Sequence, residues 1–145
     1  GMPQPFPHRY ETGLRWIRGR EAVLTTDGAP PVEGAPPPQF DGPPKHWSPE
    51  ALLLSAAELC LMTTFLSVAE RAKLTVADYQ SKAEAALDKT PEGLAFTRIV
   101  IRVRLSVYAD DVPRARELLL KAKKFCIVSN ALKVPPELET EVVTA

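Results

Sequence analysis

Ser48-Pro49-Glu50-Ala51-Leu52-Leu53-Leu54-Ser55-Ala56-Ala57-Glu58-Leu59-Cys60 is the stretch on which the fold turns. Its first three residues read as a helix start. Ser48 suits the N-cap, Pro49 the first helical position, where no N–H is needed, and Glu50 the positive end of the dipole. The helix is expected to run to about Arg71. Leu52, Leu53, Leu54, Leu59, Leu61, Met62, Phe65, Leu66 and Val68 leave it apolar almost all round, and helices of that kind are buried on every side. One small domain can hardly enclose such a helix. The pattern therefore predicts a homodimer in which the partner covers part of it.

Before this helix, residues 10–17 and 21–26 are strand candidates, with Arg18-Gly19-Arg20 as the hairpin turn and Asp27-Gly28 as a second turn. Residues 29–45 carry Pro30, Pro31, Pro36, Pro37, Pro38, Pro43 and Pro44 and are expected to form a surface loop without helix. Residues 1–9 are expected to be a disordered or loose arm, with Gly1 ahead of Met2 a cloning remnant, and residues 10–145 a single domain.

Beyond the helix, residues 75–88 fit a helix by their Ala, Glu and Lys content and a strand by their alternation. Ile99, Ile101, Val103, Leu105 and Val107 alternate with Arg98, Arg102, Arg104 and Ser106, the mark of a half-buried strand, and only Val100 breaks the polar face. Pro91-Glu92-Gly93 would turn a hairpin. Asp110-Asp111 and Pro113 open a second helix, with Ala115, Leu118, Leu119, Ala122 and Cys126 on one face and lysines near its end. After Pro135-Pro136, residues 137–144 alternate enough to be a last strand. This order argues an α+β fold with an antiparallel sheet.

With 18 Lys+Arg against 18 Asp+Glu in 145 residues, net charge gives no reason to expect nucleic acid or an anionic membrane as partner. Gln4, Pro5, Phe6, Pro7 and His8 interrupt any export signal, and Glu58 breaks the longest apolar run, residues 51–69. A cytoplasmic location is expected. There, a pair of cysteines forms a disulfide transiently and for chemistry. His8, His46 and the two cysteines fit no zinc spacing, so neither metal nor bound cofactor is expected.

Cys60 is flanked at helical spacing by Ala56, Ala57, Thr63, Thr64 and Ser67. A stripe of small side chains leaves room for a ligand or for a closely packed element. The plainer reading is a buried cysteine that fills space, and it holds equally for Cys126 at the end of the second helix. Nothing in the spacing shows that the two meet. If Cys60 reacts, it must be a thiolate, and a pKa of about 8.5 leaves little of that form at neutral pH. The helix dipole fades within one turn, so a cation is required. No Lys or Arg lies between Glu50 and Glu70, which leaves arginines from elsewhere, such as Arg18 and Arg20 at the hairpin tip. Both are equally readable as solvated turn charges. Glu50 is the natural carboxylate to hold such an arginine, or simply a favourable first-turn acid. It stands ~15 Å from Cys60 along one helix, so the two serve one site only if Glu50 comes from a second copy or the chain bends.

Residues 48–60 resemble the helix that opens the OsmC/Ohr (organic hydroperoxide resistance) family core, where a Pro-Glu pair precedes the reactive cysteine by ten residues. Ala122-Lys123-Lys124-Phe125-Cys126-Ile127-Val128-Ser129-Asn130-Ala131-Leu132 is similar to the family's second cysteine segment, and Gly93-Leu94-Ala95-Phe96-Thr97-Arg98-Ile99 to its strand start. The likeness spans residues 10–143. It implies an intertwined homodimer with antiparallel sheets wrapped around two central helices, and it decides residues 75–88 for strand. It also implies a thiol peroxidase acting on organic hydroperoxides. Cys60 would be peroxidatic and Cys126 resolving, through a Cys60–Cys126 disulfide. Glu50 would orient the site arginine, matched to Arg18 with Arg20 in reserve. The reductant would be an external thiol, a lipoylated or other dithiol protein. Leu59, Met62 and Phe65 would supply an apolar wall. Ile127 stands where the family usually has proline. The competing reading is a non-catalytic small-molecule-binding or redox-sensing dimer of the same fold.

Overall fold

The computed structural model describes residues 3–145. The chain divides into two compact units, one ending at Leu52 and the other Leu53–Ala145.

In the first unit, β1 (Gly13–Arg18), β2 (Glu21–Thr25) and β3 (Val32–Gly34) form an antiparallel sheet in that order. The β1–β2 turn falls where expected. Gly19 takes φ +52° there, a left-handed conformation that costs a residue without Cβ little. Residues 29–45 depart from the expected plain loop. They contain β3 and a one-turn 3-10 helix, Pro38–Phe40. Pro31 precedes β3, where its missing N–H interrupts no ladder, and Pro38 occupies the first position of the 3-10 turn, where that loss is harmless. Proline richness therefore excludes regular helix here but not these two short elements. Trp47 N–H donates to the Glu33 carbonyl (3.2 Å) and Ala35 N–H to the Trp47 carbonyl (3.0 Å), which tie the segment's end back to β3. At Gly42 a Cβ would stand 1.6 Å from the Pro36 carbonyl oxygen, so only glycine fits.

Helix α1 (Pro49–Arg71) starts and stops where the sequence places it, and the Ser48 hydroxyl accepts the Ala51 N–H at 3.1 Å. Its burial is less complete than its composition suggests. Ala57, Leu61, Phe65, Val68 and Ala69 are buried, whereas Leu59 is 60% and Leu66 37% exposed. By length and composition α1 could cross a membrane, so Glu58 does not disqualify it as the sequence reading held. One face of α1 packs in the core of the second unit.

That core is built on a three-stranded sheet, β4 (Val76–Thr90), β5 (Gly93–Val107) and β6 (Glu137–Thr144). Residues 75–88 are strand, and Gly93 closes the hairpin at φ +111°. The inward row of β5, Ile99 to Val107, is at most 2% exposed. Helix α2 (Val112–Phe125) lays Ala115, Leu119 and Ala122 into the same core as Leu61 and Phe65. Removing the Phe65 ring from such a site costs about 3–5 kcal/mol. A four-residue helix, α3 (Ile127–Asn130), follows Cys126.

The sheet is mixed, not wholly antiparallel: β5 pairs antiparallel with β4 but parallel with β6. The physical reason is the connection. Between β5 and β6 the chain runs through α2 and α3, and a helical crossover of that length returns the next strand in the same direction. The architecture is α+β, with one sheet of short strands, one built on two long strands, and few helices. On the sheet's outer face Arg102 reaches both Glu84 (3.0 Å) and Glu139 (3.2 Å), and Arg98 reaches Glu137 (2.5 Å). Such exposed pairs contribute ~0–1 kcal/mol each.

Candidate active site

The second unit brings the two cysteines together. Cys60 lies mid-way along α1. Cys126 ends α2 in extended conformation (φ −69°, ψ 106°), which turns the chain and starts α3. Both are free thiols: Cys60 is partly exposed and Cys126 fully buried. Burial pushes the Cys60 thiol up, but hydrogen bonds outweigh it. The Val128 N–H, the Cys126 thiol, the Thr64 hydroxyl and the Ile127 N–H all favour the thiolate, and the net direction is downward. Cys126 goes the other way. Burial raises it, the hydroxyl and N–H of Ser129 lower it, and donation to Cys60 together with the charge on Cys60 raises it again, for a net rise. The pair thus divides into a thiol shifted down and a neighbour shifted up.

Among the described residues, the groups that lower Cys60 within this unit are N–H, O–H and S–H donors. Ile127, Val128 and Thr64 were missed as contributors at Cys60, and Ser129 at Cys126. Thr64 had a signal, since it stands one helical turn after Cys60. Backbone N–H groups have none, because every residue but proline carries one.

Tyr79 on β4 flanks this pair. Its ring lies 5.9 Å from that of Phe65, centroid to centroid, and its hydroxyl is buried without a hydrogen-bond partner. Burial raises its pKa strongly, and the charges of Glu58 and Cys126 raise it further. Two residues along β4, Ser81 donates to Glu58 at 2.5 Å. Leu59, Met62, Glu58, Tyr79 and Ser81 line a cleft of about 250 Å³. Phe65 does not belong to an exposed wall as expected: it is wholly buried, because its position on α1 points into the core shared with β5 and α2.

Arg18, Arg20 and Glu50 belong to the first unit. The Arg18 guanidinium is mostly exposed and lies 3.7 Å from Glu21. Arg20 donates to the Asp41 carbonyl at 3.0 Å. Arg20 and Glu50 line one cavity of about 520 Å³, together with Leu24, Phe40 and Trp47, and Glu50 Oε1 is buried there with no hydrogen-bond partner. The structure therefore places the reserve arginine, not the preferred one, in the cavity of Glu50. Glu50 and Cys60 remain ten residues apart on α1.

Residues 42–141 match the family model described as OsmC-like protein. The chain belongs to this OsmC-like family. Peroxiredoxin OsmC of Escherichia coli is 28% identical over 125 residues, covering 86% of this chain and 87% of that protein. YmaD of Bacillus subtilis is 30% identical over 98 residues, 65% of each chain, so the match spans about two-thirds of that relative's length. An organic hydroperoxide resistance protein from Elizabethkingia anophelis has the same fold, with a TM-score of 0.76 at 18% identity over 98% of this chain and 100% of that one.

Proposed function

We propose that this OsmC-like chain is a cysteine-based peroxidase that reduces organic hydroperoxides to alcohols. The observation that carries the reading is a partly exposed Cys60 whose thiol is lowered by surrounding donors, one of them the thiol of Cys126. The Cys60 thiolate attacks the distal oxygen of ROOH. The O–O bond breaks, and RO⁻ takes a proton and leaves as the alcohol. Cys60, now sulfenic acid, is attacked by the Cys126 sulfur after loss of its proton, and water leaves as the disulfide forms. An external dithiol, free or carried on a lipoylated or other protein, resets the pair. The name of the Escherichia coli relative supports peroxidase chemistry, and that of the Elizabethkingia protein supports organic hydroperoxides as the substrate class.

Glu50 orients the site arginine in this reading, and the shared cavity favours Arg20 over Arg18 for that role. Leu59 and Met62 remain as apolar wall. The leucines left exposed on α1 support a homodimer in which a partner covers them. The proposed setting is the cytoplasm.

A second reading rests on the buried, unpartnered Glu50 oxygen in a cavity lined largely by apolar residues. A small molecule bearing a hydrogen-bond donor would fit there, with the cysteines as a redox sensor. Consumption of cumene hydroperoxide with excess dithiothreitol separates the two. Turnover that disappears in Cys60→Ser and exceeds turnover of hydrogen peroxide is the expected result. Consumption no faster than free thiol produces would sink the enzyme and leave the binding module.

A further inference from the structure

Cys126 is 0% exposed, whereas Cys60 is partly open to solvent. Once the two form a disulfide, an external thiolate reaches the Cys60 sulfur and not that of Cys126. Its attack forms a mixed disulfide with Cys60, breaks the S–S bond, and sends the electron pair out on Cys126 Sγ. The second thiol of the reductant, deprotonated, then attacks its own sulfur in the mixed disulfide and releases Cys60 as thiolate. The dithiol is oxidised to its disulfide, the cysteine pair is reduced, and the protons lost by the dithiol are made good on the two cysteines from solvent. The demanding moment is the first, when negative charge appears on a sulfur enclosed by apolar side chains.

Ser129 offers that sulfur a hydroxyl and an N–H. A further donor is Tyr79, which packs against the core cluster that contains Cys126. Its hydroxyl is buried and unpartnered. Glu58 is the competing acceptor, but its Oε2 already receives the Ser81 hydroxyl. A buried hydroxyl with no acceptor is unfavourable in the resting protein, and a thiolate at Cys126 would give it one. The same two groups, Glu58 and Cys126, are those whose charge bears on the phenol.

We infer that the Tyr79 hydroxyl acts in the reductive half of the cycle, turning to the Cys126 sulfur and donating a hydrogen bond to it as it leaves the disulfide. The inference rests on the proposed Cys60–Cys126 disulfide but not on the identity of the oxidant. A charged acceptor strengthens the bond, so Tyr79 acts on the leaving thiolate and leaves the attack of Cys60 on peroxide untouched.

The test uses the full chain oxidised with diamide, so no peroxide is needed. Reduction by dithiothreitol is followed by quenching and counting maleimide-reactive thiols. Tyr79→Phe is expected to slow reduction about tenfold, the loss of one hydrogen bond to a charged group. Alkylation of Cys60 in the reduced protein should be unchanged. In a Cys60→Ser background, Tyr79→Phe should raise the Cys126 titration, read at 240 nm, by about one pH unit. If Tyr79→Phe fails to fold, 3,5-difluorotyrosine at position 79, a stronger donor of the same shape, should speed reduction instead. Unchanged reduction and an unchanged Cys126 titration would overturn the inference. So would Glu58→Gln slowing reduction as much as Tyr79→Phe, which would assign the hydroxyl to Glu58. Absence of peroxide turnover, by contrast, would count against the proposed function alone.

Discussion

Cys60 and Cys126 share one small pocket of structure yet differ in almost every physical respect. Cys60 sits in the middle of a helix, three turns from the positive end, partly open, and its pKa falls below the ordinary 9.0. Cys126 sits at a helix end, wholly enclosed, and its pKa rises above 9.0. Helix position would suggest no help for Cys60 from its own dipole. The difference arises instead from who donates to whom. The chain reversal at Cys126 directs the N–H groups of Ile127 and Val128 at Cys60, and the Cys126 thiol adds its own proton to the set. The Cys60 thiol is thus lowered by donors on and beside its neighbour, and the neighbour is raised chiefly by its own burial.

The largest expected consequence is in reactivity. Iodoacetamide at neutral pH should modify Cys60 about a hundredfold faster than Cys126, read by mass spectrometry of the digested protein. Rates within a few-fold of each other would erase the contrast. Next, the titrations should bracket the ordinary value: Cys60 in a Cys126→Ser background below 9.0, and Cys126 in a Cys60→Ser background above it. The individual donors sharpen the picture. Thr64→Val should raise the Cys60 titration by roughly half to one pH unit while sparing Cys126, and Ser129→Ala should do the reverse, each the loss of about one hydrogen bond. The smallest effect concerns Tyr79, whose pKa is raised above 10.0 in the fold. Below pH 10 both states hold the phenol proton, and pH has no leverage. Above it the unfolded chain releases the proton first, so stability falls as pH rises. Chemical denaturation at pH 10 and above should show a shallower decline in Tyr79→Phe.

Much of this arrangement is legible in the sequence. Ser48-Pro49-Glu50 fixes the start of α1 because capping is local chemistry, and the Ile99-to-Val107 alternation fixes the buried row of β5 because side-chain period is a property of any strand. Strand direction is not. Residues 137–144 alternate alike in either orientation, and only the crossover through α2 decides that β6 runs parallel. β3 escaped notice because three residues beside Pro31 are too short for periodicity to register. At the site, that Cys60 and Cys126 meet followed from the family resemblance and not from their spacing, and the donation of the Ile127 and Val128 amides to Cys60 had no signal at all. The wall assigned to Phe65 failed because apolar composition does not say which side of α1 faces the core.

The nearness of Cys60 and Cys126 also bears on durability. A bond between their sulfurs would close a covalent ring of about 65 residues around β4, β5 and α2, and it would remove freedom chiefly from the unfolded chain. On loop-closure grounds that is a gain on the order of 4 kcal/mol. The spent form of the protein, waiting for its reductant, would then be its hardiest, melting later and resisting proteases longer than the form that is ready to react.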